Sequence, residues 1–148
     1  MQQSERFKLI PSVYALFVRD EKILLLRRTN TGFEDGNYGL VSGHAESGET
    51  MKQGMIREAG EEAGVKIEDG DMDLVLTMHR NCGDHERIDL FFIIKDWIGD
   101  IKNMEPNKCD DLSWFPIDQL PENIIPYIKI ALSYYSQGIR YCEFGWDK

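Results

Sequence analysis

Glu58, Glu61 and Glu62 fall within one turn of a segment, residues 50 to 63, whose spacing predicts a helix. Met51, Met55, Ala59 and Ala63 recur every four residues as its apolar stripe. Thr50 with Gln53 has the pattern of a capping box, and Gly64 supplies a left-handed stop. Side chains three and four residues apart share a helix face, so the three carboxylates project toward one volume. Each like-charge pair at that spacing costs roughly 0.2–0.5 kcal/mol in an isolated helix, and Gly54 and Gly60 each cost about 1 kcal/mol relative to alanine. An acidic helix face is by default only a solvated one, yet helicity alone does not select this composition. A hard divalent cation would turn the repulsion into attraction, since magnesium is held by a few carboxylate oxygens while it bridges substrate phosphates.

Just upstream, "SGHAESGE" places Gly43 and Gly48 in a tight loop whose backbone carbonyls could reach the same ion. A bend of that loop would bring Glu49 to Arg57 as an orienting ion pair. The pattern G-x5-E-x7-R-E-x-x-E-E-x-G is complete in Gly43, Glu49, Arg57, Glu58, Glu61, Glu62 and Gly64. Seven fixed residues recur by chance with a probability of roughly 10⁻⁸ per position, which removes coincidence as an explanation.

At these residues the chain resembles the Nudix hydrolase family, whose signature adds aliphatic residues at the positions of Ala59 and Val65. Ala59 is smaller than the usual Ile, Leu or Val. "YGLVSGH" and "WFPIDQLP" also look like that family, while Tyr38 and Val41-Ser42-Gly43 replace its usual Trp and Pro-Gly-Gly. The resemblance implies an α/β fold, an α/β/α sandwich with a mixed central sheet, in one domain over residues 1–148. It implies hydrolysis of a diphosphate linked to another group X, usually a nucleoside, with Mg2+ as cofactor and Mn2+ as its alternative. Glu58 and Glu62 are then the direct metal ligands, Glu61 a third ligand or a partner through water, and the Gly43 carbonyl completes the shell. Glu49 and Arg57 are assigned to orientation. The general base is either Glu58 or an acid from a distant loop, Asp111, with Asp110 and Glu105 beside it; a solvated loop is the plain alternative for these three. Arg28 matches a phosphate-contacting position of the MutT-type relatives, though a strand-end charge reads the same way. Tyr38, Phe33 or Trp114 could stack on a nucleobase, against the usual place of aromatics in a core. His44, His79 and His85 are not spaced as a metal triad and read as structural or surface groups, and Cys109 reads as a small buried group.

Positioning these residues falls to a series of strands. "SVYALFVRD" and "KILLLRR", separated by Asp20-Glu21, read as a hairpin or adjacent strands, and "TNTGFEDGNYG" as a loop before a short strand at Tyr38 to Val41. "DLVLTMHR" and "RIDLFFIIKDW" read as two strands joined by a polar turn, and "DLSWFPI" as another. An amphipathic helix from about Ile124 is expected to close the chain. The order predicts a mixed sheet with helices on both faces.

The 148 residues carry a formal net charge of -9. That argues against a duplex nucleic-acid binder, which needs a basic footprint, and requires any small anionic substrate to meet a cation or a local arginine cluster. Three cysteines in no C-x-x-C pair suggest neither a disulfide framework nor a zinc site, which points to a cytoplasmic setting. No apolar run reaches the length of a membrane span. The marks of ADP-ribose and dinucleoside polyphosphate hydrolases are absent from "MHRNCGDHE", and no coenzyme A or NADH-type signature stands out. By elimination the expected substrate is a (deoxy)nucleoside triphosphate or modified nucleotide, cut to monophosphate and pyrophosphate by a monomer or homodimer. An ADP-ribose or nucleotide-sugar pyrophosphatase, a non-catalytic nucleotide sensor, and a structural calcium or acidic interaction module are the other readings.

Overall fold

The computed structural model describes residues 5–147. The apolar run of residues 12–18 lies within the first strand, β1 (Ile10–Arg19), and strand alternation divides its side chains between two cores. Tyr14 and Leu16 enter one cluster, Val13, Ala15 and Phe17 the other. A strand apolar on both faces has to be covered on both. Helix α1 (Met51–Ala63) covers one face with Met55, Ala59 and Ala63, and helix α2 (Pro126–Ser136) the other with Ile128, Ala131 and Leu132. Between them lies a mixed sheet of eight strands, so the expected α/β/α sandwich forms.

The remaining strands are β2 (Lys22–Arg28), β3 (Tyr38–Gly39), β4 (Val41–His44), β5 (Met72–Asn81), β6 (Glu86–Ile94), β7 (Cys109–Pro116) and β8 (Tyr141–Phe144). The β1–β6 and β5–β8 ladders are parallel and the others antiparallel. On one edge β1 pairs with β6. Its other edge is shared: β4 takes Ser12 to Ala15, and β2 only Val18 and Arg19. The Asp20-Glu21 turn has φ of 54° and 62° at its two residues, the left-handed pair whose twist suits a two-residue hairpin. Beyond it β2 leaves β1 to pair with β7 and β3. The divergence of β2 from β4 leaves room between them for a cleft.

Two boundaries differ from the sequence reading. Helix α2 begins at Pro126, because proline suits a first turn whose N–H groups have no intrahelical partner. The chain does not close on that helix: β8 follows and adds a parallel edge to β5, a pairing between distant segments that no local pattern announces.

Candidate active site

The start of α1 is fixed by reciprocal bonds. Thr50 Oγ1 accepts the Gln53 N–H at 3.1 Å, and Gln53 Oε1 accepts the Thr50 N–H at 2.8 Å. Arg57 then ties the helix to the loop before it. Its guanidinium makes a two-pronged pair with Glu49 at 2.8 and 3.2 Å, donates to the His44 carbonyl at 3.1 Å, and reaches Glu58 at 2.7 Å. Glu49 also accepts the Glu46 N–H at 2.8 Å, so the loop folds back on the helix. That approach explains Gly54, where a Cβ would sit 3.0 Å from Glu49 Oε1. Nothing in the structure explains Gly60.

Glu58, Glu61 and Glu62 all line a cleft of about 1010 Å³, as do Gly43 and Arg28. The three glutamates are not equivalent. Glu62 accepts the Ser42 N–H at 2.8 Å, and burial pushes its pKa up to about 8, with the charges of Glu58 and Glu105 adding to the rise. Burial also raises Glu58, whose side chain is 12% exposed, against the opposing pull of Arg57. Glu61 is 53% exposed and reaches only Arg57, at 3.5 Å. Gly43 is required where it stands, because a Cβ there would run into the Glu58 carboxyl group.

This donor set suits a hard divalent cation in kind: two carboxylates raised by burial, a third at the rim, and a strand backbone that only glycine lets so close. Among the described residues no three His, Cys, Asp or Glu side chains close into a ready cage. Arg57 and the Ser42 N–H each engage one of the carboxylate oxygens instead. Magnesium does not require a cage, since it keeps several waters and binds through one or two carboxylates plus substrate phosphates.

Other expected residues divide. Arg28 is in the cleft, its guanidinium 5.4 Å from the Phe33 ring centroid and its Nε donating to the Phe33 carbonyl at 2.7 Å. Phe33 also lines the cleft and is 46% exposed. Tyr38 and Asp111 do not match their expected places and lie outside the cleft lining. Tyr38 is buried, edge-on to Phe115, and its hydroxyl donates to Asp111. That bond, and a second from Ser113 Oγ at 2.7 Å, hold the Asp111 carboxyl below its ordinary pKa, so it is occupied in tying β7 to β3 across the intervening β2. Trp114 stacks on Trp97 against the core. The acid of that region that lines the cleft is Glu105.

The opposite wall was not read from sequence. One face of β4, β1, β6 and β5 carries His44, Ser12, Tyr14, Arg87, Asp89 and Arg80. Asp89 has no exposed surface; it accepts Arg80 Nε at 2.7 Å and the Tyr14 hydroxyl at 3.1 Å. The Arg80 guanidinium lies 3.7 Å over the Tyr127 ring, and burial raises the Tyr14 and Tyr127 phenols. The only hint was polar residues at alternate positions of otherwise apolar strands.

The NUDIX domain family model matches residues 8–133. The NAD-capped RNA hydrolase NudC of Chromobacterium violaceum is 32% identical over 124 residues, covering 84% of this chain and 44% of the relative. The protein of the same name from Pseudomonas aeruginosa is 31% identical over 114 residues, covering 77% of this chain and 38% of its own. The chain thus spans less than half the length of these curated relatives. Among solved structures, the MutT NUDIX hydrolase from Burkholderia pseudomallei superposes with a TM-score of 0.77 at 26% identity, covering 85% of this chain and 97% of that one. The MutT protein from Methanosarcina mazei Go1 does so with 0.76 at 25% identity, covering 90% and 97%.

Proposed function

The chain belongs to the Nudix hydrolase family, and on that premise we propose that it cleaves the diphosphate linkage of a small nucleotide in a divalent-cation-dependent reaction. A nucleoside triphosphate would give the monophosphate and pyrophosphate. The observation that carries this reading is the pair of glutamates, Glu58 and Glu62, raised by burial beside the Gly43 backbone in the wall of one large cleft. Glu58, Glu62 and the Gly43 carbonyl would hold Mg2+ or Mn2+, with Glu61 at the rim. When bound, the cation neutralises charge on the phosphoryl oxygens and acidifies a bound water.

The remaining work falls to the chain itself. Arg57 holds Glu49 and Glu58 in register, which keeps loop and helix together at the reacting end. Glu58 Oε2, the oxygen not engaged by Arg57, accepts a proton from the attacking water. Glu105 is the acid of the loop before β7 that lines the same cleft, as Asp111 does not. Arg28 contacts a phosphoryl oxygen, and the exposed ring of Phe33 beside it offers a face to a nucleobase.

The net charge of -9 disfavours a long polyanion and favours a small nucleotide. The relatives' name, NAD-capped RNA hydrolase, nevertheless puts NAD+ and NAD-capped RNA on the test panel. The test is incubation of the protein with nucleoside triphosphates, oxidised nucleotides, ADP-ribose, NAD+ and NAD-capped RNA, with Mg2+ or Mn2+, and chromatography of the products. Monophosphate release that stops with chelator is the expected result. Cation-dependent binding without product from any member would overturn catalysis in favour of a nucleotide sensor.

A further inference from the structure

Arg80 and Arg87 face each other directly across the β5–β6 ladder, and both line the cleft. Like charges opposed on an antiparallel ladder are destabilising. In a chain with 26 acidic residues a carboxylate for each would be easy to supply, yet among the described residues only Arg80 has one, Asp89. Asp89 is spent on Arg80, which it meets at 2.7 Å. Arg87 is held by three neutral acceptors: Ser12 Oγ at 3.3 Å, His44 Nε2 at 2.7 Å and His85 Nε2 at 3.0 Å. Each ring nitrogen is placed to accept from the guanidinium. Among the described residues Arg87 makes no ion pair with an Asp or Glu. The acid behind His85, Asp84, bonds Nδ1 at 2.6 Å, but its side chain is 91% exposed and its charge is screened by water.

Arg87 is thus a half-buried guanidinium, fixed at Nε and Nη1, whose charge is uncancelled. No partner for its Nη2 is found among the described residues. Its position relative to the acidic helix is set by β4, where His44 directly follows Gly43. Gly43 and His44 face opposite sides of β4, but Glu58, Glu62, Arg80 and Arg87 all line one cleft, so a cationic subsite lies across β4 from the place where Glu58 meets the Gly43 backbone.

We propose that the Arg80–Arg87 end of the cleft binds a second phosphoryl group of the substrate, carried by the moiety X beyond the scissile diphosphate. Diphosphates whose X group is itself phosphorylated are then the preferred substrates. The guanidinium fork suits phosphoryl oxygens, and burial among neutral partners strengthens the contact. The inference rests on the reading of the cleft as a diphosphate-cleaving site.

Two measurements test it. Inorganic phosphate is titrated into the full chain in excess EDTA, following the arginine Nε resonances by NMR, in wild type, Arg87→Gln, Arg87→Lys and Glu62→Gln. Saturable binding that perturbs Arg87 is expected, weakened about tenfold by Arg87→Gln and less by Arg87→Lys. Glu62→Gln should bind as well as wild type, since Glu62 makes no contact with Arg87. Arg87→Gln relieves an opposed pair and is expected to fold, as circular dichroism will show; Arg87→Lys retains the charge without the fork if it does not. The second measurement compares hydrolysis of NAD+ and NADP+, which share one diphosphate and differ by a ribose phosphate. A preference for NADP+ of about tenfold in kcat/KM, lost through KM in Arg87→Gln, is expected. Equal phosphate affinity in wild type and Arg87→Gln, or hydrolysis of both dinucleotides without preference, would overturn the subsite. Arg87-dependent phosphate binding with no hydrolysis of any diphosphate would instead sink the catalytic reading and leave the subsite standing.

Discussion

Replacing Glu62 by glutamine separates its electrostatic cost from its use. Glutamine keeps an acceptor for the Ser42 N–H, now 2.8 Å from Glu62 Oε1, and removes only the charge that burial opposes. The ordinary pKa of this group is 4.5 and burial raises it to about 8, so between those values the folded chain holds a proton that the unfolded chain has lost. The folded state binds more protons, and stability without cation therefore falls as pH rises across that window. At 1.36 kcal/mol per pH unit the loss is at most about 5 kcal/mol by pH 8. Water reaching the cleft wall reduces this, and half of the bound corresponds to about 5–10 °C in Tm for a chain of this size. In EDTA, Glu62→Gln and wild type should melt together near the bottom of the window, and the variant should melt about 5–10 °C higher above its top. Mg2+ should raise wild type at high pH and the variant much less, while hydrolysis by the variant falls by several orders of magnitude. Thermal unfolding by circular dichroism across the window decides the matter. A Tm difference independent of pH, or a variant less stable at high pH, would refute the idea that Glu62 is a buried charge suited to a cation.

Two further outcomes follow from the same geometry. Gly43→Ala puts a methyl group into the Glu58 carboxyl, the flexible end of a side chain, so the fold should survive while the carboxylate is displaced; kcat/KM should drop about a hundredfold, and turnover near wild type would show that the close approach is dispensable. Tyr38→Phe removes the hydroxyl that donates to Asp111 and should cost about 1 kcal/mol of stability with KM unchanged; a KM raised tenfold or more in steady-state kinetics would return Tyr38 to the substrate.

What could be read in advance was local. The helix of α1, its Thr50–Gln53 cap, its Gly64 stop at φ 70° and the Arg57–Glu49 pair all lie within about two dozen consecutive residues, where spacing alone dictates geometry. The two-faced apolar run of β1 likewise required layers on both sides. Asp111 and Glu105 looked alike in the sequence because both are acids of one polar stretch; only the pairing of β7 and β3 to opposite edges of β2 brings the first to Tyr38, while the second lines the cleft.

By itself, then, the order of residues determined which side chains on α1 share a face and that such a face is costly without a cation, because helix periodicity acts over a few residues. The folded chain alone decided which of those glutamates lose their water, and that Arg80, paired with Asp89, stands opposite Arg87. Burial arises from segments distant along the chain; the Arg80–Arg87 register lies within one hairpin, but the apolar pattern of two strands does not state which residues face each other across it.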